Sequence, residues 1–135
     1  MRVRMGSATA GSFLGASLIA FVSPSNGERA ITFYRDTLGL ELVADEPFAV
    51  VFNAGGTMLR VTKVDRVATA PYTVLGWRVS DIDSAVKDLN ARGVGFQRYD
   101  GMDQDPNGIW TSPAGARAAW FKDPDGNVLS LTQFP

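Results

Sequence analysis

Two kinds of hydrophobic spacing take turns along this chain, and they do so twice. Over residues 17–23, Leu18, Ala20 and Val22 alternate with Ile19 and Phe21, the period-two pattern of a strand. Ala30, Phe33, Tyr34 and Leu38 then recur at helical spacing, with Gly39 placed to end the helix in the left-handed region. The helix start is read from Ser25-Asn26-Gly27-Glu28, where a hydroxyl and a carboxylate three residues later fit a capping box. Short β-prone runs follow at about 40–45, 48–53 and 57–63, separated by Asp45-Glu46-Pro47 and Asn53-Ala54-Gly55-Gly56.

The second round begins at Tyr72. Thr73, Leu75, Trp77 and Val79 alternate with Val74, Gly76 and Arg78, and Ser80-Asp81-Ile82-Asp83 repeats the capping spacing. Ile82, Ala85, Val86 and Leu89 form the next helical stripe, closed by Gly93, and strands are expected at about 94–99, 116–122 and 127–133. Ser25 and Ser80 lie 55 positions apart and Gly39 and Gly93 lie 54 apart, so the chain reads as two tandem βαβββ modules, 17–66 and 71–135, joined by a linker over 64–71. Residues 1–16 read as a flexible extension, although two arginines followed by an apolar stretch also imitate a signal peptide.

The modules differ in length late on. Gly56 precedes Met58-Leu59-Arg60-Val61 as Gly126 precedes Val128-Leu129-Ser130-Leu131, but at an offset of 70, so the second module carries about fifteen extra residues. They fall in 100–115, a turn-rich stretch that nonetheless contains Met102, Ile109 and Trp110. Those apolar residues need something to cover, either a pocket beneath a lid, or the sheet or a second subunit. The final hairpin is signalled by Asp123-Pro124-Asp125-Gly126-Asn127, in which Pro124 presets φ, the aspartates close Asx-turns and Gly126 accepts a positive φ.

Composition narrows the chemistry. A formal net charge of −1 without basic runs gives no electrostatic footprint for nucleic acid or an anionic membrane. With no Cys and no His there is no disulfide, thiolate nucleophile, imidazole base or Cys/His metal site. A metal would have to be held by carboxylates alone.

The first strand, the Phe33-Tyr34-x-x-x-Leu38-Gly39-Leu40 helix end, the second strand and helix, and the Asp-Pro-Asp-Gly-Asn hairpin together resemble the vicinal oxygen chelate superfamily, which holds glyoxalases, extradiol dioxygenases and bleomycin resistance proteins. The likeness spans residues 17–134. It implies an α+β fold of two βαβββ units, whose curled mixed sheets surround a cavity with helices on the convex side. Metal-dependent members carry ligands at positions that correspond to Ile19 and Val74 on the first strands, and to Arg60 and Ser130 on the last strands. None of these four residues is a metal ligand here, and a guanidinium repels a divalent cation. The resemblance therefore implies a member without metal or other cofactor.

Alternation supports the same placement independently. Leu59 and Val61, Leu129 and Leu131, Leu18 and Val22, Leu75 and Val79 are the apolar sets that amphipathic helices cover, which sends Arg60, Ser130, Ile19 and Val74 to the opposite face. On that face Arg60 offers a bidentate grip on a carboxylate or phosphate, lined by Ile19, Phe21, Met58 and Trp120. Its alternative is an internal ion pair with Asp45, Glu46 or an acid of the 100–105 loop. Trp110, Trp120 and Tyr72 suit stacking on a flat ligand, or else packing in a core or dimer seam. Arg78 follows the cavity-side alternation near a strand end, Asp100, Asp103 and Asp105 read as solvated turn chemistry, and Asp123 and Asp125 belong to the hairpin turn.

Three readings follow. The first is a cytoplasmic, metal-independent binding protein for an anionic or aromatic small molecule, acting as a homodimer. The second is an enzyme of the same superfamily using Glu46, Tyr99 or Asp103 for proton transfer. The third is a partner protein with a filled cavity that acts through its dimer surface.

Overall fold

The computed structural model describes residues 14–24 and 26–135. β1 (Ile19–Val22) leads into α1 (Gly27–Ile31), which continues as a π-helical segment over Thr32–Thr37. β2 (Glu41–Asp45), β3 (Ala49–Ala54) and β4 (Thr57–Thr62) complete the first module. β5 (Leu75–Arg78), α2 (Ile82–Ala91), β6 (Trp110–Thr111), β7 (Arg117–Lys122) and β8 (Val128–Gln133) repeat the plan. The sheets run β1-β4-β3-β2 and β5-β8-β7-β6, each with its first strand parallel to its last and the remaining pairs antiparallel. This is the expected α+β pair of mixed sheets, but the two sheets stay separate and neither closes.

Both helices start one residue later than the capping boxes suggested. Asn26 caps α1 by accepting from the Arg29 amide at 3.0 Å, and Asp81 caps α2 by accepting from the Ser84 amide at 3.1 Å. Ser25, read from the sequence as the first cap, lies outside the described residues, as do residues 1–13 of the N-terminal extension. The second carboxylate of the α2 box, Asp83, instead receives both guanidinium nitrogens of Arg117 at 2.7 and 3.0 Å. A distant side chain completes the cap: Gln133 accepts from the Ile82 amide at 2.8 Å.

One core serves both modules. Val50, Phe52, Leu59 and Val61 of the first sheet, and Ala119, Phe121, Leu129 and Leu131 of the second, point to the helix side and pack with Tyr34, Ile82, Val86 and Leu89. The π-helical segment joins the halves. Its widened turn, with the Leu38 amide donating to the Phe33 carbonyl at 2.9 Å, lets the adjacent residues Phe33 and Tyr34 both face inward. Phe33 lies 6.4 Å from the Phe121 ring, and the Tyr34 hydroxyl donates to Asp123 at 2.8 Å.

Two strand expectations need correction. Leu18 was expected to face a helix with Val22, yet it precedes β1 and is 76% exposed. The strand expected over 94–99 is reduced to one bridge, Phe96 to Phe121, and the edge of the second sheet is completed by β6 from inside the inserted stretch. The reason is that the insertion leaves the edge and returns to it. Gln104 supplies the bonds a neighbouring strand would have made, donating to the Gln97 and Gly108 carbonyls and accepting from the Tyr99 amide. Ile109 is buried in the core, so packing rather than a lid accounts for that apolar residue.

Candidate functional site

The face of each sheet away from the helices is partly open: Ile19, Phe21 and Met58 are exposed, whereas Val51, Val128 and Ser130 are buried. Register decides its contents, because directly paired residues share a face. On the first sheet, Ile19 pairs with Met58, and Phe21 with Arg60, which in turn pairs with Val51. On the second, Gly76 pairs with Ser130 and Ser130 with Trp120, while Arg78, Thr132, Ala118 and Trp110 form the adjacent row.

The first-sheet face is apolar, with its one cation paired. Ile19, Phe21 and Met58 are 42, 58 and 42% exposed, and Arg60 reaches Glu46 at 3.4 Å. On the opposite, helix side, Lys63 is taken by Asp45 at 2.8 Å. Arg60 therefore has the internal partner weighed from the sequence, although one long, half-exposed contact leaves most of its donors unused.

The second-sheet face is aromatic. Trp110 and Trp120 lie 6.3 Å apart at an interplanar angle of 41°, and Tyr99 meets Trp120 edge-on at 5.7 Å. Both tryptophans remain partly exposed. Beside them the floor is made of small residues: Gly76, Ser130, Thr132 and Ala118. A Cβ at Gly76 would stand 2.7 Å from the Ser130 hydroxyl, so only glycine leaves that hydroxyl its present place. Two recesses lie at the margins of this sheet, one of about 450 Å³ lined by Arg78, Val79, Ser80, Gln133 and Phe134 and one of about 340 Å³ whose lining includes Tyr99, Lys122 and Val128.

The residues singled out from the sequence thus fall on two separate walls. Arg60, Ile19, Phe21 and Met58 share the first. Ser130, Trp110 and Trp120 share the second, with Val74 immediately before β5 and Tyr72, 67% exposed, at its approach. Among the described residues no hydrogen bond, ion pair or ring contact links the two open faces. Gly76, Ala118, Thr132 and the stacking role of Tyr99 are additions made by the structure. The alternation through Gly76 and Thr132 was a usable signal for the first three; the folding back of the inserted loop, which brings Tyr99 to Trp120, left none.

The four positions that would hold a metal do not fit one. Ile19 and Val74 offer no donor atom, Arg60 carries a positive charge already engaged by Glu46, and Ser130 offers one neutral hydroxyl. Among the described residues no group of three or more His, Cys, Asp or Glu is arranged to hold an ion. Nor is any described helix long and apolar enough to cross a membrane.

Away from the open faces, the strongest electrostatic feature joins the modules. Asp123 is buried and accepts from the Tyr34 hydroxyl, the Asp125 and Asn127 amides and the Asn127 side chain. Burial, then the charge of Asp123 and the hydrogen bond to it, pushes the Tyr34 hydroxyl far above its ordinary range. This network is fully used in holding the turn.

Known structures share the fold. A protein of the glyoxalase/bleomycin resistance protein/dioxygenase superfamily from Sphaerobacter thermophilus is 32% identical, with a TM-score of 0.71 over 90% of this chain and 98% of that one. Lactoylglutathione lyase from Agrobacterium tumefaciens gives 20% identity and a TM-score of 0.69 over 88% and 93%. A glyoxalase/bleomycin resistance protein/dioxygenase from Alicyclobacillus acidocaldarius gives 20% and 0.65 over 89% and 92%. No curated protein matches the sequence. The family model described as Glyoxalase/Bleomycin resistance protein/Dioxygenase superfamily matches residues 19–131, and with two βαβββ modules in the same order the chain belongs to that superfamily.

Proposed function

We propose that this member is a metal-independent small-molecule binding protein of the cytoplasm, and that its ligand is a flat aromatic held on the open face of the second sheet. The observation that carries this reading is the cluster of Trp110, Trp120 and Tyr99 beside a floor of glycine, alanine and hydroxyl side chains. Large aromatics on an open strand face offer stacking area at low entropic cost, and the small floor gives a planar ligand somewhere to lie. The side chain of Ser130, 9% exposed, makes no hydrogen bond to any described residue, which leaves its hydroxyl available to a polar edge of the ligand.

Two of the three tryptophans lie on this face, which makes intrinsic fluorescence a direct readout. Titration with planar aromatic probes should quench it saturably. Trp120→Ala should weaken binding about tenfold, the worth of one good stacking contact, while Phe21→Ala on the other sheet should change it less than about twofold. Equal losses would place the ligand elsewhere. Proton-transfer chemistry has thinner support, since Glu46 is held by Arg60 on the first sheet and Asp103 sits in an exposed loop.

The proposal includes a second copy of the chain. Ile19, Phe21 and Met58 form an apolar group on an open sheet face, and a two-fold dimer is the commonest way to cover one. Sedimentation equilibrium should return twice the chain mass; a monomer at tens of micromolar would remove this part of the reading.

A further inference from the structure

The second-sheet face carries charge as well as rings, and that charge is one-sided. The side chains that register places there are Gly76 and Arg78 on β5, Trp110 on β6, Ala118, Trp120 and Lys122 on β7, and Val128, Ser130 and Thr132 on β8. They include two cations and no carboxylate. On the first sheet the cation of the corresponding face, Arg60, is neutralised by Glu46. Among the described residues neither Arg78 nor Lys122 belongs to an ion pair. The other acids of this module are engaged or lie off this face. Asp81 caps α2, Asp83 pairs with Arg117 and Asp88 with Arg92, and Asp105 spends its carboxylate on the Asn107 and Ile109 amides. Asp123 and Asp125 belong to the hairpin turn, and Asp100 and Asp103 lie exposed in the inserted loop.

Arg78 differs from Lys122 in being held. Its guanidinium carbon lies 5.3 Å over the Phe134 ring, and among the described residues its N–H donors meet no hydrogen-bond acceptor. Arg78 and Trp120 are two strands and two residues apart, or roughly 12 Å between Cα atoms at ordinary strand spacings. Ser130 and Thr132 lie between them. A ring stacked on Trp120 therefore has its far edge over the hydroxyls and an acidic substituent within reach of the fork.

We propose that Arg78 is the specificity-determining residue of this face, and that the ligand class is a planar aromatic bearing a carboxylate or similar anionic group opposite the stacked ring. The fork supplies two parallel hydrogen bonds to such a group, and the unpaired charge at the open face favours an anion over an isosteric neutral molecule. This inference rests on the aromatic-platform reading above and adds the charge requirement to it.

The test uses 2-naphthoate and its neutral amide, 2-naphthamide, titrated into the full chain and followed by tryptophan fluorescence. The wild type should bind the carboxylate roughly tenfold more tightly than the amide, the value of a charge-assisted hydrogen bond at a half-open site. Arg78→Gln should weaken the carboxylate to the level of the amide and leave the amide unchanged. Arg78→Lys should keep part of the preference, since it keeps charge but not the fork. A thermal melt of each variant separates binding losses from folding losses. Equal binding of both probes by the wild type overturns the role of Arg78 and leaves the platform standing. A preference that survives Arg78→Gln but disappears in Lys122→Gln or Arg60→Gln also overturns it, by moving the anion to another cation. Absence of binding by both probes overturns the platform reading itself.

Discussion

The two sheets have the same strand order and opposite contents. On the first, Ile19, Phe21 and Met58 share the face away from the helices with one cation, Arg60, that is already paired; on the second, Trp110 and Trp120 share it with Arg78 and Lys122, which form no ion pair among the described residues. A shared topology thus says where a ligand face can be, and the side chains decide which of the two faces has an unmet demand. The hairpins closing the modules differ in parallel. The first turn is exposed and local, with Asn53 accepting from the Gly56 amide at 2.8 Å. The second is a buried joint. Asp123 gathers four donors, Asn127 donates to the Ser23 carbonyl at 3.1 Å, and Arg29 reaches Asp125 at 3.1 Å, so the first module is fastened to the turn of the second.

The largest effect should come from breaking that joint. Asp123→Ala strands four donors in and around the core and is expected to cost about 3–4 kcal/mol in denaturant unfolding. Asn53→Ala, the matched change in the first hairpin, should cost under about 1 kcal/mol because water replaces the lost partner. Similar losses at the two turns would end the distinction between a joint and a local turn.

Tyr34 sharpens the same point through pH. Its hydroxyl is held protonated in the folded chain far above the value near 10.0 that applies unfolded. Between those values the unfolded state releases a proton that the folded state keeps. Stability is accordingly full below about pH 10 and falls by about 1.4 kcal/mol per pH unit above it. Tyr34→Phe should remove that one-proton dependence and cost roughly 1.5–3 kcal/mol at neutral pH through the lost bond to a carboxylate. An unchanged alkaline slope in the variant would show that Tyr34 is not the group responsible.

The smallest expected change in stability tests the floor. Gly76→Ala places a methyl group 2.7 Å from the Ser130 hydroxyl, which can rotate aside, so the stability cost should stay below about 1 kcal/mol. Binding of 2-naphthoate should nevertheless fall, because the methyl fills the notch. A variant that loses stability heavily, or binds as well as the wild type, would show the floor to be packing rather than a site.

Much of this architecture was legible before any coordinate. Period-two alternation assigned Leu59, Val61, Leu129 and Leu131 to the core, and Arg60 and Ser130 to the other face, since side-chain direction in a strand is a local property. The 55-residue repeat gave the tandem modules for the same reason, as each unit carries its own caps and turns. That Ile19, Val74, Arg60 and Ser130 stand where metal-dependent members carry ligands came from the resemblance, and their lack of donor sets is then plain from the residues themselves. Tertiary structure decided what no local pattern encodes: that Glu46 takes Arg60, that no acid among the described residues takes Arg78, that the inserted loop returns as an edge strand and sets Tyr99 on Trp120, and that Tyr34 crosses 89 residues of sequence to hold Asp123. Partnership depends on which distant groups chain closure brings within a few ångströms. Alternation gives the direction of a side chain, and only the folded chain determines what it meets there.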